Sequence, residues 1–484
     1  MQMEINMVLD FRRFLVVVVL MIMAFGCASN GKAITKDGIN DGLKLPASFG
    51  QAGTADQYGE NWWEIFESVE LNALVDKLFQ NNYQLAKSYD GLKALRTTLG
   101  ISEADKIPSV TAGASASETY STNSKGKRAW RDSYSLSLTA SYEADIWGRV
   151  KAGTESDRLA LISNSYDLES LYMTLTAELA DRYFLYKSLA SILKIQKEQY
   201  ELRLKQISAL EMMYSSGVGL LDTIYVKQTA MANLMESMTE TKQSMESARL
   251  QIAKLIGEPD VSKVVISDKY NFKLPQLPYV IPSDVANKRP DIKAAFASVQ
   301  KVDRDVAQAM ANRYPKLSFS ASTSFSGDEL TRLISIDNFI ANLVANIVAP
   351  VFDAGKLKLQ VEKQKHLLSQ QVNDYYLTVI TALTEMSNSL NDNVQNEQAL
   401  DLSTEKVRIE EKRLKIAEMK YEMGIKNYSD VIDNKISLLA GWISEVTARR
   451  SLISSRVELA RASGGSWAGK IVDQRLTAST GETK

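Results

Sequence analysis

The residues from Tyr134 to Trp147, YSLSLTASYEADIW, alternate almost without error. Tyr134, Leu136, Leu138, Ala140, Tyr142, Ala144 and Ile146 fall on one side of an extended chain. Ser135, Ser137, Thr139, Ser141, Glu143 and Asp145 fall on the other. A period of two predicts a strand with one apolar and one wet face. The pattern recurs at Val110–Tyr120, at Leu317–Phe325 (LSFSASTSF) and at Phe339–Val351. The rest of the chain is mostly helical in pattern. Long helices are expected at Arg149–Ser215 and Lys356–Glu422, each about 100 Å long at ~1.5 Å per residue. Shorter ones are expected at Leu71–Glu103, Asp222–Ile256, Ser283–Asn312 and Ser429–Ala462.

The long helices carry two apolar rows. Leu400, Val407, Leu414 and Tyr421 form one, and Leu402, Ile409, Ile416 and Met423 the other. Rows two residues apart lie about 200° apart around a helix. Leu193, Tyr200, Ile207 and Tyr214 repeat the first row, and Ile195, Leu202 and Ala209 open its second. One stripe suffices for a helix resting on a core. Two opposed stripes predict a neighbour on each side, as in the wall of a tube. The Glu, Lys and Arg between the rows weigh against the alternative, a helix buried in a bundle.

Pro108 and Pro315, Gly148 and Gly355, Tyr214 and Tyr421, and Gly217 and Gly424 each stand 207 positions apart (424 less 217, for example). Register kept over such a distance marks a duplication of one large unit. The expected organisation is a signal peptide at 1–26, an N-terminal segment at 27–69, a first repeat at 70–256, a proline-rich linker at 257–281, a second repeat at 282–464 and a polar tail at 465–484, read as mobile. Each repeat runs helix, strand pair, long helix, shorter helix. Two shorter helices end to end match one long helix, which predicts a pillar of antiparallel helices with the strands at one end. The expected class is mainly α with a membrane β-barrel part.

Composition narrows the functions. With 45% hydrophobic and 24% charged residues, the chain of 484 folds. A net charge of -1 argues against nucleic acid as a partner. Arg12 and Arg13, the apolar run Phe14–Met23 and the following MAFGC read as a signal peptide. The run is too short for a membrane span, which needs about 20 residues. Gly26 before the one cysteine, Cys27, resembles a lipobox in which Cys27 becomes the acylated first residue. Ala24 and Phe25 depart from that pattern, and the alternative is ordinary cleavage leaving a free thiol. A single cysteine excludes an internal disulfide framework or a cysteine metal cluster. The one histidine, His366, reads as a solvated helix residue. No cofactor is expected beyond a lipid on Cys27. The chain shows no nucleophile elbow, phosphate loop or metal cluster, so no enzyme is expected.

Without another long apolar run, membrane entry must use strands. Roughly ten residues suit a tilted transmembrane strand. Four strands cannot close a barrel, an open edge cannot face lipid, and small membrane barrels start near eight strands. The chain is therefore expected to join copies of itself in a ring. Strand counting allows a dimer, trimer or tetramer. The alternative is a soluble antiparallel sheet with one wet face. Trp130 and Trp147 flank the second strand, as aromatic girdles would.

Several stretches resemble the TolC-like outer-membrane efflux factors, in particular the lipoprotein branch with OprM- and NodT-like proteins. These are IPSDVANKRPDIKAA from Ile281, WWEIFESVELNALVDKLFQNNYQLAKS from Trp62, EADIWGRV from Glu143, PVFDAGKLK from Pro350, and the two Tyr-x-x-Gly turns. The resemblance implies a homotrimer whose chains each give four strands to one outer-membrane barrel. It also implies a helical periplasmic tunnel closed at its far tip, where a periplasmic adaptor (membrane fusion protein) and an inner-membrane pump, of the RND type, dock. Such a component is a passive conduit for small molecules such as drugs.

The same resemblance places the Tyr-x-x-Gly turns, with Tyr214, Gly217 and Gly424, at the tunnel tip. Asp430 and Asp433 match the family's acidic ring at the aperture. Positions three apart share a helix face, and a carboxylate ring attracts cations. Tyr421 and Lys426 match a clasp whose partner is Asp222, with Lys426 where the family has Arg, so bidentate geometry is lost. Asp222 follows Gly217 by five residues rather than six. Plain helix capping by Asp222, Ser429 or Asp430 is the alternative. Two other functions stay open: a duct for type I protein secretion and a non-channel periplasmic coiled-coil lipoprotein. The exported substrate is not legible.

Overall fold

The computed structural model describes residues 48–49, 61–122, 126, 128–268, 274, 281–282, 288–465 and 467–480, with backbone alone at 48–49, 281–282 and 476–480. Cys27 and the signal segment lie outside the described residues. Two compact units emerge, one from 95–161 and 297–373, the other from 43–94, 162–296 and 374–484.

The first unit holds a four-stranded antiparallel sheet of β1 (Ser109–Thr122), β2 (Arg128–Ala144), β3 (Lys316–Gly327) and β4 (Phe339–Val348), in that order. Its register sorts the side chains. Ala112, Leu138, Thr323 and Ala341 fall in one line across the strands, and Ala114, Leu136, Phe325 and Phe339 in another. Residues directly opposite share a face, so the apolar positions of β1, β2 and β3 meet on one side with Phe339, Leu343 and Ile347 of β4. On β1, β2 and β3 the other side is a ladder of hydroxyls. Ser109 meets Ser141 at 2.9 Å and Ser115 meets Ser135 at 2.8 Å. From Ser133 to Ser141 on β2 and Ser318 to Ser326 on β3 this face carries no ionisable side chain. On β4 it alternates Ile340, Val344 and Val348 with Asn342 and Asn346.

The strand ends differ from the alternation. β2 begins six residues before Tyr134, because the ladder to β1 continues to Thr122↔Arg128. Tyr120 and Trp130 pack there, with ring centroids 5.1 Å apart. β2 stops at Ala144 because Asp145 turns away to accept from the N–H groups of Val150 (3.1 Å) and Lys151 (2.8 Å). Asp353 does the same after β4, accepting from Gly355 and Leu357 at 2.9 and 2.8 Å. A carboxylate satisfying free N–H groups at a helix start favours that start. Trp147 lies beyond β2. It stacks on Tyr314 at 4.9 Å and donates from Nε1 to the Pro315 carbonyl at 2.7 Å.

The helices are α1 (Val69–Asn81), α2 (Tyr83–Ala104), α3 (Arg149–Ser215), α4 (Leu221–Leu255), α5 (Pro290–Ala311), α6 (Lys356–Glu422), α7 (Tyr428–Ala462) and α8 (Trp467–Thr480). α3 and α6 have 67 residues each, and α4 and α7 have 35 each, so the repeat is legible in element lengths. The single helix expected at Leu71–Glu103 is two. Asn82 adopts an extended backbone, accepts from the N–H groups of Gln84 and Leu85 at 2.9 Å, and donates to Leu255 at 2.7 Å. No described helix is long and apolar enough to cross a membrane.

The core of the helical unit is aromatic. Trp62, Trp63 and Phe66 in a short 3-10 turn pack with Phe79, Phe184 and Trp467. The tail expected to be mobile is therefore helix α8 at Trp467–Thr480. Trp467 meets Trp63 edge-on at 5.0 Å, and Ala468 and Val472 are buried. Its polar composition hid three apolar contacts on one face. The described start of the linker is also held, with Val264 and Ile266 buried. Beyond them Ser267 accepts from buried Lys187 through its carbonyl (2.7 Å) and Oγ (2.9 Å).

Candidate functional site

Both helical hairpins of the second unit turn in the same way. After α3 the N–H of Val218 reaches the Met213 carbonyl (3.0 Å) and that of Gly217 reaches Tyr214 (3.0 Å). After α6 Ile425 reaches Lys420 (2.9 Å) and Gly424 reaches Tyr421 (2.9 Å). This paired closure is the Schellman arrangement, which needs a left-handed residue just past the helix. Gly217 (φ 77°) and Gly424 (φ 70°) supply it without a Cβ penalty. The turns expose apolar side chains. Val218 and Leu220 are 76% and 74% exposed, Met423 64% and Ile425 63%.

Asp430 and Asp433 open α7 but do different things. Asn427 caps the helix by accepting from the Asp430 N–H at 3.0 Å, and Asp430 returns a carboxylate oxygen to the Asn427 N–H at 3.3 Å. This capping box satisfies two otherwise free donors. Lys426 lies 3.5 Å from Asp430, one turn away on the same strand of chain. Asp433 is tied to the other hairpin. Lys227 of α4 reaches its two oxygens at 2.7 and 2.8 Å, and Gln206 of α3 donates to Oδ1 at 2.9 Å. Gln206 also donates to Ser429 Oγ at 2.9 Å and is fully buried.

The residues of the expected clasp are not brought together. Among the described residues no hydrogen bond or ion pair joins Asp222 to Tyr421 or Lys426. Asp222 stands in the first turn of α4. Tyr421 packs against Tyr428 with centroids 5.5 Å apart, and Lys426 turns to its own helix start. Tyr214 is about half exposed at the first turn. Nearest the turns, the link between hairpins comes from Lys227, Gln206 and Ser429 with Asp433, which sequence reasoning missed. A signal was present. Lys227 is the sole basic residue from Leu221 to Thr241. It lies three residues after buried Ile224 and four before Met231, on the face that packs against Ile207 and Leu210. A lysine on an apolar seam calls for a buried partner.

Chemically the site can hold helices together and present carboxylates to cations. It contains no arrangement for making or breaking covalent bonds, and among the described residues no cluster of His, Cys, Asp and Glu could hold a metal.

Comparison with known proteins bears on most of the chain. The family model described as outer membrane efflux protein matches residues 74–258 and 281–465. The pyoverdine export outer membrane protein OpmQ of Pseudomonas aeruginosa is 25% identical over 447 residues, covering 89% of this chain and 93% of that protein. A probable efflux pump outer membrane protein of Pseudomonas putida, TtgC, is 26% identical over 424 residues, covering 84% and 85%. The structure of the Campylobacter jejuni CmeC outer membrane channel superposes with a TM-score of 0.79 at 20% identity, over 86% of this chain and 91% of that one.

Proposed function

This chain belongs to the outer membrane efflux protein family, and from that premise we propose that it is the outer-membrane channel of an efflux system. It is a passive conduit for small molecules and not an enzyme. The observation that carries this reading is the sheet. Strands β1, β2 and β3 collect their apolar side chains on one face and their serines on the other, and β4 adds apolar side chains to both. β1 and β4 end the sheet with one unpaired edge each. In lipid such edges cost several kcal/mol per unmet group, so the strands must be completed by further copies. A homotrimer gives twelve strands.

The helices support the same assembly. On α6, Val407 of the first row is buried, while Leu402 (73%), Ile409, Ile416 and Met423 of the second are exposed. A row of this length left in water marks a surface that another chain covers. The exposed residues of the tip turns suit a periplasmic adaptor, with an inner-membrane pump of the RND type behind it. Acylation of Cys27 would add an anchor in the outer membrane.

The test is reconstitution. The purified full chain should require detergent, run as three copies, and open conducting channels in planar bilayers. Mass spectrometry of the mature N-terminus should find an acylated cysteine. A monomer soluble without detergent would refute the channel. An unmodified thiol would refute the anchor alone.

A further inference from the structure

The sheet sorts charge by face. At its hairpin end Arg131 lies on the serine face, opposite Thr119 and one step beyond the pair Ser117↔Ser133. The acids of that end, Glu118 and Asp132, stand opposite each other on the apolar face instead. At the helix end Lys316 opens β3 on the serine face, opposite Val348. Two acids are close enough in register to neutralise it, and both are engaged elsewhere. Asp145, the next position of β2 after the last pair Ala144↔Leu317, accepts from the N–H groups of Val150 and Lys151. Glu143 is held by Arg149 at 2.8 and 2.9 Å, a bidentate pair. Among the described residues no ion pair or hydrogen bond holds the side chain of Arg131 or Lys316. Both residues are exposed. β2 and β3 are the inner strands of the sheet, so neither cation guards an edge, the common duty of a strand lysine.

We propose that the barrel end of this channel favours organic anions, because Arg131 and Lys316 set a ring of unpaired cations at each end of the hydroxyl wall. The proposal rests on the channel reading above, which turns the serine face to water, and adds to it the charge class of the cargo. In a homotrimer each residue gives three charges at one height. Rings of Lys or Arg draw anions, and a low-dielectric wall focuses their field into the lumen. Between the rings Ser133–Ser141 and Ser318–Ser326 carry no ionisable side chain on this face, and β1 and β4 add none. The neutral stretch is about 27 Å of strand at ~3.4 Å per residue. That exceeds a Debye length of ~8–10 Å, so the rings act separately. An anion is drawn in at one ring, crosses a neutral wall and is met at the other. A chain of net charge -1 thus has a cationic lining, because its acids at these heights are paired, capping a helix or turned to the other face.

The experiment reads the local potential by thiol chemistry on the full-length protein in lipid vesicles. Ser318→Cys and Ser133→Cys place thiols two residues from Lys316 and Arg131 on the same face. Each is labelled with 2-sulfonatoethyl methanethiosulfonate, an anion, and with 2-trimethylammonioethyl methanethiosulfonate, a cation. Any reaction at Cys27 is subtracted with the chain lacking the added cysteine. Relative to a free thiol in solution, the anion should gain on the cation by about three- to tenfold at low salt, and the gain should shrink at high salt. Lys316→Gln should erase the gain at position 318 and leave it at position 133, and Arg131→Gln should do the reverse. Lys316→Met and Arg131→Met serve as second variants, with the heat-resistant oligomer reporting assembly. A rate ratio equal to that of the free thiol at both positions overturns the proposal, as does a gain that the Gln and Met variants leave in place. If neither thiol reacts with either reagent while Phe319→Cys, on the apolar face, reacts with both, the sheet faces the other way. The channel reading then falls, and the proposal with it.

Discussion

Glu169 on α3 lies beneath Gly469 of α8, whose missing Cβ would sit 3.2 Å from its carboxylate. Burial pushes the Glu169 carboxyl up to about 7, Lys293 opposes the shift and the like charge of Asp473 adds to it. A carboxyl raised on folding binds more protons in the native state than in the unfolded one. Stability therefore falls as pH rises from the ordinary value of 4.5 towards about 7, then levels off. Glu169→Gln should flatten this slope and raise the melting temperature at pH 8 but not at pH 4, read from thermal melts in detergent. Glu70 behaves oppositely. Burial disfavours its charge, but bonds from Lys187, the Ser267 backbone and Tyr183 outweigh that and hold the carboxyl below its usual range. Its contribution is present above the unfolded value and is lost as pH falls through the lowered one. Lys187 is 3% exposed at its side chain and 2.7 Å from Glu70. Lys187→Met should cost about 3 kcal/mol, the scale for breaking a buried pair, measured as a drop in denaturation midpoint.

Among the elements, the strands were the most legible and their ends the least. Alternation needs only one chain, so β2 and β3 stood out most, where Ser alternates with Leu or Phe. The extension of β2 through Arg128–Ser133 depends on partners in β1, and the sequence there puts charge on both faces. The break at Asn82 depends on a bond to Leu255, 173 residues away. α8 was misread because its burial rests on Trp467, Ala468 and Val472 among polar neighbours. The hairpin turns were legible because glycine at a left-handed position is a local requirement. The bridge of Lys227, Gln206 and Asp433 was not, because similarity to a family carries positions across and leaves partners to the particular chain. The sheet gives a direct prediction. Leu138→Arg, on the apolar face, should abolish assembly into the membrane, at a cost of about 2–4 kcal/mol per chain for a basic side chain in lipid. Thr139→Asp, one residue on, should assemble normally, with heat-resistant oligomer on gels as the readout.

At the scale of the whole molecule, duplication explains economy of design. One plan, used twice, gives helices of 67 and 35 residues in each half and two strand pairs that join in one sheet. What one chain cannot do is cover its own edges or the second row of α6. Ile409→Asp, in the middle of that row, should leave the helical content of the chain unchanged and weaken the oligomer, lowering its dissociation temperature by several degrees in a detergent melt. Loss of helix along with oligomer would show that the row serves the chain itself.

The hydroxyl ladder has a consequence for traffic. A solute moving along the Ser and Thr of β1, β2 and β3 exchanges one weak bond for another of the same kind at each step, and meets no fixed charge between the ends of the ladder. Such a surface exerts friction without retention.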